Sequence, residues 1–260
     1  MSNPWLQRVA PRPDAKLRLF CFSYAGAGAS VYRPWSTALP AQIEVCAVQL
    51  PGREGRLREP ALASIGEMVA ALETALLPHF DRPFAFFGHS MGALLACELA
   101  RALASRSGPR VAQLLVSGRR PPHLPETETP IHTLSDDAFV ASIGHRYGGI
   151  PAEVLRHREL LALLLPGLRA DMKAIETHPF EAGPLLDCPI IAFGGDSDPR
   201  TPRQQLDQWQ AQTHGSLRVR SFAGGHFYFT DPQVRAALLD DLSGTLLPLT
   251  APHAVAKAIG

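Results

Sequence analysis

The chain has 260 residues, 46% of them hydrophobic and 19% charged, enough for one sizeable α/β core with an inserted segment. Twenty-five basic residues against 24 acidic leave a net charge of +1, which excludes a global bias toward nucleic acid or anionic membrane. No apolar run reaches the ~18 residues of a membrane span, and Met1 to Arg8 lacks the basic start and long apolar stretch of a signal peptide.

Met1 to Ala15 is polar, contains prolines and reads as a loose lead-in. Leu17 to Tyr24 is a buried-strand candidate that runs into Ala25-Gly26-Ala27-Gly28-Ala29-Ser30. Small side chains in that loop let its backbone come close to something. Neither Gly-Lys-Ser/Thr nor the Gly-x-Gly-x-x-Gly spacing follows, which argues against nucleotide binding. Val31 to Leu39 suits a short helix stopped near Pro40, and Ile43 to Leu50 a second buried strand. The loop Pro51 to Pro60 is irregular and charged: Arg53, Arg56 and Arg58 either meet an acidic partner or a phosphate, or sit solvated beside Glu54 and Glu59. Leu62, Ile65, Val69, Leu72 and Leu76 are spaced 3, 4, 3 and 4, one face of a helix over Leu62 to Leu77.

The apolar run Pro83 to Phe87 enters Gly88-His89-Ser90-Met91-Gly92, and a small-residue helical pattern follows from Ala93 to Ala104. Gly-x-Ser-x-Gly between a strand and a helix is the setting of a nucleophile elbow. The turn is tight, so the positions two before and two after the serine must be small, and both are glycine. The Met91 N–H, at the helix start, then points at the place where an oxyanion would form. In hydrolases with such an elbow a second donor comes from a loop after an early strand, which makes the Ala25 N–H the candidate.

Val111 to Val116 is the next strand, and the alternation to this point predicts a parallel sheet covered on both faces. From Arg119 to Leu186 no strand is evident. Ser135 is placed to cap a helix through Tyr147, stopped by Gly148-Gly149. Pro151 suits the first turn of a second helix through Leu164, Pro166 interrupts it, and Leu168 to Glu176 continues. The division is a core of 1–118 and 187–260 with a helical lid of 119–186 over the carboxyl edge of the sheet. Leu160, Leu161, Leu163, Leu164, Leu165 and Leu168 cover more than one stripe, and either dock on the body or form part of an acyl-chain pocket.

Cys188 to Phe193 restores the strand pattern and ends in Gly194-Gly195-Asp196-Ser197-Asp198-Pro199. Pro202 to Gln212 is a polar helix, and Leu217 to Phe222 alternates as an edge-ward strand before Ala223-Gly224-Gly225-His226-Phe227. Thr230 or Asp231 caps a last helix with Val234, Leu238 and Leu242 on its inner face, and Leu247 to Gly260 reads as a frayed tail. Cys21, Cys46, Cys97 and Cys188 are widely separated, and three of the four lie in apolar runs. They read as buried free thiols in a reducing, cytoplasmic compartment.

A serine hydroxyl needs a base, and the base needs an orienter. Elbow-bearing hydrolases carry them in the order Ser, Asp or Glu, His, each after a strand. Among ten histidines only His226 follows a late strand in a glycine turn. His89 lies in the elbow and points elsewhere; His123, His132, His145, His157 and His178 fall in the lid; His79, His214 and His253 lie at helix ends or in the tail. Asp196 and Asp198 both remain open as orienter: Asp198 precedes Pro199, which keeps it out of the helical region, and Asp196 could instead cap the turn. No zinc-spaced cluster and no His-Glu-x-x-His occurs.

The chain resembles the type II thioesterases of polyketide and nonribosomal peptide biosynthesis, which are α/β hydrolases. The likeness spans about Leu17 to Leu246 and rests on Phe22 to Gly28, Gln49 to Glu54, Gly88 to Gly92, Leu165 to Asp171, Gly195 to Pro199 and Gly224 to Phe227. Ser23 departs from a common proline of the family. The resemblance implies an α/β-hydrolase fold with a mostly parallel central sheet, helices on both faces and a helical lid insertion. It implies Ser90 as nucleophile, Asp198 as orienter, His226 as base, and Met91 and Ala25 as oxyanion donors. It also implies hydrolysis of acyl thioesters on the phosphopantetheine arm of acyl or peptidyl carrier proteins, with no cofactor or metal of its own, no nucleic-acid or membrane partner, and a monomer. Carrier proteins are usually acidic, so Arg53, Arg56, Arg58, Arg119 and Arg120 are candidates to face one. Three alternatives stand beside it: a chain-releasing thioesterase, a small-molecule esterase or acyltransferase, and a catalytically silent binding protein. Chain-releasing enzymes are usually fused to a synthase, whereas this chain reads as complete from Met1 and shows no carrier sequence of the Asp-Ser-Leu kind.

Overall fold

A run of residues buried on both faces pairs best with like runs on each side, and five such runs build the centre of this molecule. The computed structural model describes residues 3–106, 108–125, 128–148, 150 and 152–251. The strands are β1 (Leu6–Gln7), β2 (Leu17–Phe22), β3 (Ile43–Val48), β4 (Phe84–His89), β5 (Gln113–Ser117), β6 (Ile190–Gly195) and β7 (Leu217–Phe222). Every residue of β2 to β6 is buried. The sheet order is β1-β3-β2-β4-β5-β6-β7, parallel throughout except for β1 against β3. β7 alternates between half-buried and exposed residues and closes one edge, as its sequence pattern predicts.

The helices are α1 (Trp35–Ala38), α2 (Ile65–Leu76), α3 (Met91–Ser105), α4 (Asp136–Tyr147), α5 (Ala152–Arg156), α6 (Arg158–Glu176), α7 (Arg203–Asp207) and α8 (Pro232–Leu246). Alternate strand residues feed two cores. Phe20, Phe22, Phe84 and Phe86 face α2, α3 and the end of α6, whereas Leu19, Cys21, Ala85 and Phe87 face Tyr32, Trp35 and α8. The four cysteines are free and buried.

Four expectations are corrected. The lead-in is not wholly loose, because Leu6 pairs with Val48 and Gln7 with Ala47. Two paired residues are too few to leave a periodic signal. The helix expected over Val31 to Leu39 is split into a 3-10 turn, Ala29–Tyr32, and α1, with Pro34 between them. Pro166 does not interrupt a helix: α6 runs through it, and the break lies at His157, whose φ and ψ are −109° and 91°. An interior proline costs about 3 kcal/mol. Burial of Leu165, Met172 and Ile175 offsets it, at about 1.5–3 kcal/mol for each such side chain. Finally, Ser135 stands at the N-cap of α4 without a side-chain capping bond.

Other ends follow local chemistry. Gly148 ends α4 in the left-handed region, while Gly149 and Pro151 lie outside the described residues. Asp231, not Thr230, caps α8, accepting from Gln233 N at 2.8 Å and Val234 N at 3.1 Å. Within the expected tail Leu247–Thr250 forms a 3-10 turn, and residues 252–260, His253 among them, lie outside the described residues. No described helix is long and apolar enough to cross a membrane.

The contact between β4, α3 and β2 leaves no room for side chains: a Cβ on Gly88 would sit 2.1 Å from Gly92 O, and one on Gly92 2.0 Å from Phe22 O. Gly92→Ala therefore destabilises by about 3 kcal/mol or more in urea unfolding. Gly144→Ala, in open space on α4, is the control and stabilises by about 0.5–1 kcal/mol.

Candidate active site

Ser90 joins β4 to α3 with φ 54° and ψ −113°, one of two non-glycine residues with positive φ among the described residues. Holding an L-residue there costs about 1–3 kcal/mol, so the surroundings must impose it. They do so through the two glycine contacts and the bond from Ser90 N to Ser117 O at 2.8 Å. Met91 follows as the first residue of α3, where a helix leaves N–H groups without an internal acceptor.

β6 and β7 end side by side, Gly195 opposite Phe222, and their exits carry the other two groups. His226 Nδ1 lies 2.8 Å from Asp198 Oδ2. An ionised carboxylate only accepts, so Nδ1 carries the proton and Nε2 is left as the acceptor. Nε2 is buried and has no hydrogen-bond partner among the described residues. Asp198 also accepts from Thr201 Oγ1 at 2.9 Å and Arg200 N at 3.0 Å. Burial alone would push its carboxyl up; the bond from His226, the electrostatic attraction of that ring and the two further donors outweigh this and hold it below the usual carboxylate range. Asp196 is exposed and accepts instead from Gly224 N at 3.0 Å and Ser197 Oγ at 2.9 Å, tying one loop to the other. The geometry thus brings Asp198 to the histidine and leaves Asp196 as the turn clamp.

Ser90 and His226 line one cavity of about 280 Å³. Tyr24 to Ala27 form one side of it, with Ala25 among them, and side chains of α4 and α6 cover it. Of the six leucines singled out in the sequence, Leu161, Leu164, Leu165 and Leu168 line this cavity, whereas Leu160 and Leu163 are exposed. The His226 ring is flanked by Tyr147, Phe227 and His89 at centroid distances of 5.3, 5.0 and 5.0 Å.

Sequence reasoning missed what lies behind these groups. His89 is fully buried, with Nδ1 2.8 Å from Ser117 Oγ, which in turn lies 2.7 Å from Tyr228 OH. Burial, and then the nearby His226, push its pKa well below that of a free imidazole, so His89 is neutral. Arg53, expected as a surface charge, is buried: its guanidinium grips Asp171 through two bonds of 2.8 and 2.7 Å. Asp171 Oδ2 also accepts from Gly26 N at 2.7 Å. One carboxylate therefore joins the 51–54 loop, helix α6 and the glycine loop. The two halves of this clamp lie in the Gln49 to Glu54 and Leu165 to Asp171 stretches that carry the family resemblance. Arg56 pairs with Glu59 and lies 4.2 Å over the Trp5 ring, Arg58 is exposed, and Arg119 and Arg120 are half-buried. Among the described residues no group of three or more His, Cys, Asp or Glu is placed to hold a metal.

A strained serine on a strand-to-helix turn of a mostly parallel sheet, sharing its cavity with a buried histidine, defines a serine-type α/β hydrolase. A family model described as "Thioesterase domain" matches residues 17–245. The gramicidin S biosynthesis protein GrsT of Aneurinibacillus migulanus is 39% identical over 226 residues, 87% of this chain and 88% of that protein. Thioesterase PikA5 of Streptomyces venezuelae is 41% identical over 231 residues, 88% of this chain and 82% of that one. The solved structure of the type II thioesterase BorB from the borrelidin biosynthetic cluster superposes with a TM-score of 0.83 at 36% identity, covering 95% of this chain and 97% of that one. The chain belongs to the thioesterase family, and is a serine hydrolase of thioesters.

Removing the Asp171 charge strands a buried guanidinium. Asp171→Asn is expected to cost about 3–5 kcal/mol in urea unfolding, and the double variant Arg53→Met/Asp171→Leu less than the sum of its parts. For His89 the unfolded state takes up a proton below pH ~6.5 and the native state does not, so stability falls as pH drops through that value. His89→Asn, which keeps a bond to Ser117, flattens the fall between pH 6.5 and 4.5 by up to about 1.4 kcal/mol per unit, read from unfolding curves of both proteins.

Proposed function

We propose that this protein is an editing, type II thioesterase that hydrolyses aberrant or stalled acyl groups from the phosphopantetheine arm of acyl or peptidyl carrier proteins in polyketide or nonribosomal peptide synthesis. The observation that carries the reading is the apolar cavity that Ser90 shares with His226, whose ring is held by Asp198, in a chain 39% identical to a protein named for gramicidin S biosynthesis and 41% identical to one named as a thioesterase.

In this reading His226 Nε2 takes the Ser90 proton as Oγ attacks the thioester carbonyl, and Asp198 holds the ring by its Nδ1–H. The N–H groups of Met91 and Ala25 receive the oxyanion, each donor being worth about 3 kcal/mol of barrier. The arm leaves as a thiol carrying the proton from His226. Water activated by the same nitrogen then attacks the acyl-enzyme, releasing the acid and restoring Ser90. The chain needs no cofactor of its own, since phosphopantetheine enters with the substrate. Residues 119–186 act as a lid under which the arm must thread, and its opening gates turnover. Arg58 stays available to an acidic carrier, whereas Arg53 and Arg56 are committed to Asp171 and Glu59. The enzyme acts as a monomer in the cytoplasm.

The test is the intact mass of a carrier protein loaded with a short acyl group, with and without the enzyme. Loss of the acyl mass, slowed at least about 10³-fold by Ser90→Ala, is the expected outcome. An unchanged acyl mass beside brisk cleavage of nitrophenyl esters would move the function to a small-molecule esterase.

A further inference from the structure

One wall of the cavity beside Ser90 is a partition with two unlike faces. Tyr147 of α4 and Met172 and Ile175 of α6 line this cavity and also a second space of about 10 Å³. The remaining lining of the second space is entirely charged: Glu128, Arg146, Glu176 and Arg200. These charges are engaged with one another. Glu128 pairs with Arg200 and, at 3.2 Å, with Arg146 Nη1, which lies 4.0 Å from Glu176. An alkyl chain gains from burial against the near face. Pushed past the partition it would separate half-buried ion pairs and offer them nothing in return.

The three partition residues differ in what they can yield. Tyr147 is held between the His226 ring at 5.3 Å and the Arg200 guanidinium at 4.4 Å. Ile175 is β-branched and stiff. Met172 is 2% exposed, unbranched and packed in the core, so its length sets how much room the cavity has on this side. At ~30 Å³ for each atom-sized group, the 280 Å³ of the cavity hold about nine groups, thioester carbonyl included.

We infer that Met172 is the specificity-determining residue that limits the acyl chain, restricting the enzyme to apolar acyl groups of about eight carbons or fewer. The inference rests on thioester cleavage at Ser90 and adds to it the length of chain admitted. Met172 acts on the substrate tail by contact and takes no part in bond making.

The experiment measures kcat/KM on N-acetylcysteamine thioesters of straight-chain acids from acetyl to tetradecanoyl. Wild type is expected to peak at or below about eight carbons and to fall beyond. Met172→Ala opens the partition and raises the ratio of dodecanoyl to hexanoyl cleavage by about tenfold or more; Met172→Phe moves the peak to shorter chains. Circular dichroism verifies folding. If Met172→Ala does not fold, Met172→Phe decides alone: a shortened profile supports the inference and a wild-type profile overturns it. Cleavage of the series with the same profile in wild type and both variants overturns the chain limit and leaves the thioesterase reading standing. No cleavage of any thioester by wild type overturns that reading itself.

Discussion

Gly92 and the carbonyl of Phe22 approach so closely that no side chain fits between β2 and α3, and Gly88 packs as tightly on Gly92. This contact fixes the turn at Ser90 and with it the left-handed backbone that lifts the serine from the sheet edge. The neighbouring strands end in step with it, Phe22 beside Gly88 and His89 beside Ser117. The glycine loop after β2 and the exits of β6 and β7 therefore reach the same carboxyl edge, where groups far apart in the chain converge.

A second layer holds those loops in place. The Asp171 carboxylate binds a backbone N–H of the glycine loop and the Arg53 guanidinium together. A buried pair of this kind is weak evidence of stability, because desolvation consumes most of the Coulomb gain. Its geometric effect is larger: it locks helix α6 to the loop that carries the proposed oxyanion donor Ala25. Arg200 makes a parallel link on the other side. Its N–H binds Asp198 while its side chain pairs with Glu128 and stacks on Tyr147. The inserted helices and the histidine–aspartate pair are thus mechanically continuous.

Much of this was legible beforehand. Strand-then-helix alternation gave the parallel sheet, because residues buried on both faces leave unbroken apolar runs. The glycines around Ser90 gave the turn, since spacing alone expresses a steric need. Pro166 misled because local propensity is a small quantity, about 3 kcal/mol, against the burial of several side chains downstream. β1 was invisible because two residues carry no period. Arg53 reads from the sequence as a loop charge facing a partner or solvent, because a sequence shows a charge without showing its partner, 118 positions away in Asp171.

The sequence by itself determined which groups are present and at which ends of which elements: Ser90 in its glycine frame, His226 after the last strand, and the order that lets them meet. Those are local facts, written in spacing and in the small sterics of a turn. Only the tertiary structure paired His226 with Asp198 rather than Asp196, buried Arg53, turned His89 inward to Ser117, and placed four of six leucines on the cavity. Each of these depends on distances between segments far apart in the chain. Hydrogen bonding and desolvation act through space within a few ångströms, and sequence order does not specify that space until the chain has folded.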